Sequence, residues 1–180
     1  MELEQSNAGD ITLEKLQRLY AETIKPHEQR VSGVIMAQTD VVVGALTAWR
    51  ENRGGGEDGM QSVLNVLVNR AKQRGTSIYA EAVLRLQFSS MTAPGDPNLV
   101  LFPTVLDPEW LTALSLASKA ASGLLDDITG GATLYYAPNS IRTHKNITLP
   151  NGEVVPFPLT WNPEAVKYAA TIAGQIFFTS

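Results

Sequence analysis

Apolar residues recur at helical spacing along most of the chain, and the breaks between periodic segments fall at glycine, proline and capping residues. After eleven polar residues expected to fray, residues 12 to about 30 carry Leu13, Leu16, Leu19 and Tyr20 on one stripe of a charged amphipathic helix. Pro26 should end or kink it. A second helix is predicted to begin at Asp40, a good N-cap, with Val42, Ala45, Leu46 and Trp49 on one face. It should stop near Glu51 and Asn52, because Gly54, Gly55 and Gly56 sustain a helix poorly. Glu57 or Asp58 opens a third helix reaching about Arg74. Its apolar positions Met60, Val63, Leu64, Leu67 and Val68 keep the spacing, and Gly75 stands where a C′ glycine belongs.

A short helix is predicted over 78 to about 86, followed by a long loop over 87–104 that holds Pro94, Gly95, Pro97 and Pro103. Asp107, Pro108 and Glu109 are an N-cap, a proline at N1 and a first-turn acid, and they start a helix through Trp110, Leu114, Ala117 and Ala121. Gly130 and Gly131 lead into an extended piece over 132–136. Residues 147–155 read as a hairpin with Asn151-Gly152 in its turn. Asn162, Pro163 and Glu164 repeat the capping device and predict a last helix to about Gly174. The expected architecture is mainly α (α+β): a helical domain over 39–180 with a small β-hairpin, preceded by an N-terminal helical arm over 1–38. The arm is expected to pack on the body, bind a partner or help the chain oligomerise.

Composition narrows the functions open to such a domain. The 180 residues carry a net charge of −4 and no basic run, which argues against nucleic-acid binding. There is no cysteine, and His27 and His144 stand alone, so neither a thiolate nor a histidine metal site is expected, and no cofactor. No apolar run approaches the roughly 20 residues of a membrane span, and the acidic start has no secretory pattern. The expectation is a soluble product made in the cytoplasm, without membrane insertion. The triple glycine has no Gly-Lys-Ser/Thr after it and so is no phosphate loop.

Glu51 is the leading candidate for chemistry. It falls at the C-terminal end of an apolar helix, where the negative end of the dipole favours a protonated carboxyl, and Trp49 beside it would push the same way. A protonated carboxyl is what a departing glycosidic oxygen needs, and the glycines let a sugar chain approach the backbone. On position alone, Glu51 reads first as a solvated helix-end glutamate, and it is the wider pattern around it that favours chemistry. Glu57 and Asp58 read as an N-cap and first-turn acids of the third helix; alternatively Glu57 folds back across the glycines as a second acid and positions a water.

Trp49-Arg50-Glu51-Asn52-Arg53-Gly54, followed by Gly59 and then by Asn69-Arg70 at a helix end, resembles the bacterial cell-wall hydrolases of the spore-cortex-lytic type. Gln87-Phe88-Ser89, the segment from Gly131 to Tyr136, and the segment from Ala173 to Phe178 resemble later elements of that family in the same order. The resemblance implies a lysozyme-like fold and cleavage of peptidoglycan glycan strands, with Glu51 as general acid and then base. It implies lytic transglycosylation, in which the substrate's own hydroxyl closes a 1,6-anhydro ring and no second carboxylate is needed, unlike most glycosidases. Asn52, Gly55, Met91 and Gln175 depart from the family pattern, which usually has alanine, often glutamate, an aromatic and histidine there.

Within this reading, Gln87 and Ser89 offer hydrogen bonds to sugar hydroxyls or N-acetyl groups, and Phe88 is a core anchor. Tyr135 and Tyr136 point to opposite sides if their segment is a strand, one buried and one flanking the cleft. Trp49 and Asn139 complete the substrate-binding set, Asn139 being equally a turn residue. Asn69 and Arg70 are expected to fix the helix end, and His144 to be solvated in a polar loop. An alternative function is a non-catalytic peptidoglycan-binding or structural component of a phage particle or secretion apparatus. A wall enzyme with no signal sequence needs a holin, a virion or a secretion system for delivery, and the N-terminal arm would be its docking element.

Overall fold

In the computed structural model, residues 25–180 are described except Leu86 and Thr143, with backbone alone for 25–37. The chain divides into two units, Met1–Gln38 and Thr39–Ser180. The helices are α1 (Lys25–Asn52), α2 (Gly56–Arg74), α3 (Ile78–Val83), α4 (Ser89–Thr92) and α5 (Pro108–Ala121). Strands β1 (Leu134–Tyr136), β4 (Lys167–Ile172) and β5 (Gln175–Thr179) make a three-stranded antiparallel sheet in the order β1-β5-β4. Strands β2 (His144–Thr148) and β3 (Val154–Pro158) form a separate antiparallel pair. The fold is thus mixed α+β, with several helices and a small antiparallel sheet. Among the described residues, no helix is long and apolar enough to cross a membrane.

The capping residues set several boundaries as read from the sequence. Asp107 accepts the Trp110 N–H at 3.1 Å and starts α5. Gly75, at φ 66°, closes α2 by donating its N–H to the Ala71 carbonyl. Gly56, at φ 67°, separates α2 from the single 3₁₀ turn that follows α1. The expected loop over 87–104 holds two short pieces instead, α4 and a 3₁₀ turn at Pro97–Val100 capped by Asp96.

Four readings are corrected. Asp40 does not begin a helix, because α1 already runs from Lys25; its carboxylate instead accepts the Tyr79 N–H at 2.8 Å, in the first turn of α3. Pro26 lies in the first turn of α1, where a missing N–H costs no hydrogen bond; the stripe of Leu13, Leu16, Leu19 and Tyr20 lies outside the described residues. The predicted last helix is one 3₁₀ turn, Pro163–Ala165, followed by the β4–β5 hairpin. Asn162 caps that turn as expected, but Ala173 (φ 47°) and Gly174 (φ 77°) form a two-residue corner with both φ angles positive, the geometry that joins twisted antiparallel strands. His144 lies exposed at the start of β2 rather than in a loop.

Two apolar clusters meet at the sheet. The helical core gathers Ala45, Ala48, Met60, Leu64, Leu67, Phe88, Leu116 and Phe177. The second gathers Tyr136, Phe157, Ile176 and Phe178. Alternate residues of β5 therefore face different cores, so this central strand reads as a run of buried residues. β1 alternates in the same way: Tyr136 is buried in the second cluster, while Tyr135 packs on the first.

The polar side of α2 places β1. Asn65 holds the Asp126 carbonyl and the Ile128 N–H, Asn69 donates to Asp127 Oδ2 and the Ala132 carbonyl, and Arg70 Nε donates to the Thr133 carbonyl at 2.6 Å. Asp127 also accepts the N–H and hydroxyl of Thr129 and the Gly131 N–H. Partial desolvation acts to raise the Asp127 pKa, but these donors outweigh it and hold the carboxyl below its usual range. Its stabilising contribution is complete above the ordinary aspartate value of about 3.9 and disappears as pH falls through the lower folded value. Asp127→Asn is expected to lower the thermal midpoint by a few degrees at pH 7, with the gap to wild type closing below about pH 4, as read by thermal unfolding across pH.

Candidate active site

Glu51 occupies the last turn of α1, and its two oxygens are engaged from different directions. Oε2 accepts the Tyr135 hydroxyl at 2.8 Å, and Oε1 accepts the Ser90 backbone N–H at 3.3 Å. The preceding residue, Arg50, fixes the chain that supplies this N–H. Its Nη1 donates to the Ser90 carbonyl and its Nε to the Leu101 carbonyl, and its guanidinium lies 4.8 Å from the Phe102 ring centre. Tyr135 is held between Phe88 and Phe177, with ring centroids 6.3 and 5.5 Å away. Burial first, and then the charge of Glu51, push the Tyr135 phenol well above its usual range, so it remains an O–H donor at neutral pH.

Glu51 opens on a cavity of about 510 Å³, whose wall also includes Arg70, Gln87, Ser89, Tyr135, Tyr136, Trp161 and Gln175. That volume is ordinary for a small-ligand site. Trp161 meets Tyr136, Phe157 and Phe178 edge-on, at interplanar angles of 85°, 82° and 90°, which fixes its ring at the cavity wall. Arg70 is 6% exposed, with its guanidinium 5.1 Å from the Phe88 ring centre. Burial lowers the Arg70 pKa from its usual value, and the nearby acidic groups Tyr135, Glu81 and Glu51 oppose that shift. Tyr136 is pushed up to about 12 by burial.

The structure therefore brings Glu51, Gln87, Ser89, Tyr135 and Tyr136 to one cavity. Trp49 is placed elsewhere: it is buried in the helical core, its indole N–H donates to Asp107 Oδ2 at 3.0 Å, and Arg53 covers its ring. Glu57 is exposed in the first turn of α2 and borders a separate depression with Leu111 and Ser115, so it does not face Glu51. Asn139 is exposed in the 3₁₀ turn Pro138–Ser140, between the cavity-lining residues Ala137 and Ser140. Trp161 and Gln175 were missed as site residues, and Arg70 was read as structural only. A buried arginine at the end of an apolar helix was the available signal for Arg70; nothing local marks Trp161, which enters through the β3 side of the second cluster.

Three departures from the expected family pattern form one packed group. Asn52 Nδ2 donates to Gln175 Oε1 at 3.0 Å. Asn52 occupies space that side chains at Gly55 and Gly59 would need: a Cβ on Gly55 would meet Asn52 Oδ1 at 2.7 Å and Ala173 Cβ at 2.8 Å. The fourth, Met91, packs against the helical core and accepts from Arg50 Nη1 through sulfur. Among the described residues on the cavity wall, Glu51 is the only carboxylate.

Compared with known protein families, curated proteins and solved structures, the chain shows no match.

Gly55→Ala is expected to destabilise the fold by about 1–3 kcal/mol through overpacking. Gly54→Ala, where a Cβ meets nothing within 4 Å, should leave the midpoint unchanged. Chemical denaturation of the two variants checks this; equal stability would mean that Asn52 moves aside at no cost.

Proposed function

We propose that residues 39–180 form a lysozyme-like domain that cleaves the glycan strands of peptidoglycan between N-acetylmuramic acid and N-acetylglucosamine, by lytic transglycosylation. The observation that carries this reading is a lone carboxylate, Glu51, held at the wall of a cavity by a phenol that stays protonated. A paired-carboxylate mechanism needs a second acid across the bond, and the cavity wall offers none among the described residues.

The chemistry runs through Glu51 in both directions. Its proton passes to the glycosidic oxygen as the bond to the muramoyl C1 breaks. The O6 hydroxyl of the same muramoyl residue then attacks C1, and its proton returns to Glu51. No water is consumed, and the product carries a 1,6-anhydro ring. The Tyr135 hydroxyl can donate to the carboxylate or accept from the acid, so one contact serves both states of Glu51. Trp161, braced by three aromatic rings, supplies a flat apolar face for a sugar ring, and Gln87, Ser89 and Gln175 supply amide and hydroxyl groups for its substituents. Delivery to the wall by a holin, a virion or a secretion system belongs to the same reading, with residues 1–38 as the docking arm.

Glu51→Gln is expected to lower release of soluble products from purified walls by about 10²–10⁴-fold with an unchanged circular dichroism spectrum. Mass spectrometry should find anhydro-muramic ends in the wild-type digest. Full activity in the variant would remove Glu51 from the mechanism, and wall binding with no soluble product would point to a non-catalytic component instead. Tyr135→Phe keeps the aromatic stack and loses the hydrogen bond to the Glu51 carboxyl group, so a drop of roughly 10–100-fold in kcat with little change in KM is expected.

A further inference from the structure

Asn52 and Gln175 fix which end of an amide meets the Glu51 cavity. Asn52, the last residue of α1, donates from Nδ2 to Gln175 Oε1 at 3.0 Å. The other arm of the Gln175 amide, Nε2, has no acceptor among the described residues. The buried side-chain atoms that lack a partner there are Arg70 Nη1, Ser90 Oγ and Tyr136 OH, and Gln175 Nε2 is not one of them. It is therefore unpaired without being sealed inside the fold. Gln175 is only 7% exposed, and the open space it borders is the cavity it shares with Glu51, Gln87 and Trp161.

An amide with both ends free offers a donor or an acceptor alike; with its oxygen occupied it offers a donor only. Asn52 keeps that oxygen occupied from a close seat between two glycines, since a Cβ on Gly59 would lie 2.8 Å from Asn52 Nδ2. On an N-acetylated sugar the acetamido carbonyl is a group that only accepts, whereas each hydroxyl both donates and accepts. A plain hydroxyl at the same ring carbon ends where the acetamido nitrogen begins, and so stops short of that oxygen. A site built to hydrogen-bond one group rejects the analogue that lacks it. On the same wall, the braced ring of Trp161 offers apolar surface for the acetyl methyl.

Resting on the reading of this cavity as a sugar site, we infer that Gln175 determines specificity by donating from Nε2 to the acetamido carbonyl of an N-acetylated sugar, and that Asn52 is the positioning residue that keeps this end of the amide outward. Asn52 and Gln175 stand where the family pattern has alanine and histidine, so the recognition group is a pair and the two residues act together. Glu51 carries the chemistry; Gln175 selects which sugar is presented to it.

The test is binding rather than turnover, with the full chain and two neutral β-1,4-linked trisaccharides: tri-N-acetylchitotriose and cellotriose, which has hydroxyls in place of the acetamido groups. Calorimetry should show the acetylated sugar binding at least about ten-fold tighter. Gln175→Glu still accepts from Asn52 but has no N–H to give, so the ratio of the two affinities should fall about five- to ten-fold. Asn52→Asp removes the donor that holds Oε1; the Gln175 amide then turns its N–H to the new carboxylate and its oxygen outward, and the ratio should fall by a similar factor. Thermal midpoints are read in parallel, and either variant that fails to fold leaves the other to decide. Equal binding of the two sugars by the wild type, or an unchanged ratio in Gln175→Glu, overturns the proposal. A ratio lost in Gln175→Glu and kept in Asn52→Asp overturns the orienting role of Asn52. Binding of neither sugar removes the inference together with the sugar reading. A preference for the acetylated sugar in a protein that cleaves no wall keeps the inference and removes the lytic reading. Cleavage that depends on Glu51 without such a preference does the reverse.

Discussion

The hydrogen bond from Tyr135 to Glu51 spans 84 residues, and the candidate site depends on the two ends arriving together. Neither residue is placed by its own strand or helix alone. Glu51 ends α1 because the glycines after it break the helix, and Tyr135 stands on a strand of only three residues. A strand that short has little register of its own. It is fixed by pairing with β5 on one side and by the Asn69 and Arg70 bonds to its approach on the other. The polar face of α2 therefore acts as a ruler between the helical core and the sheet.

The same constraint explains the small residues around the end of α1. Asn52 lies between Gly55, Gly59 and Gln175, and its amide ties the first turn beyond Glu51 to β5. Larger groups at either glycine would push α1 from the sheet and separate Glu51 from Tyr135. A departure from the expected sequence pattern at one of these positions is thus matched by the others. Asn52, Gly55 and Gln175 are read better as one packed unit than as three independent losses.

Much of the helical half was legible from local chemistry. The Asp107 cap, the Gly75 terminus and the helix over Met60, Leu64 and Leu67 follow from rules that operate within a turn or two. The errors lie where local and tertiary signals compete. Asp40 has cap chemistry but uses it on α3, because α1 carries it past that helix. The 162–164 segment starts a turn as its residues dictate, but β5 needs a partner strand, and the Ala173-Gly174 corner supplies the reversal. In the sequence, Trp49 joins the substrate-binding set because it lies two residues from Glu51. On a helix, a residue two positions away points to a different face, and that face is the core. Trp161 holds the cavity position instead, through a contact that no window of sequence contains.

The distribution of unpaired groups separates what the fold needs from what it tolerates. Arg70 serves both purposes with different nitrogens: Nε completes the backbone of the β1 approach, while Nη1 remains without an acceptor. Replacing it by an apolar residue would relieve the second and lose the first. Tyr136 divides the same way, its ring packed against Phe157 and Phe178 and its hydroxyl unmatched. A protein under selection for stability alone would hold phenylalanine there, since the ring does all of the packing. The hydroxyl is retained at a cost to the fold, and Tyr136 and Arg70 are both residues of the wall of the cavity that Glu51 serves. Costs of this kind, concentrated at one wall, are what a binding site imposes on the structure that carries it.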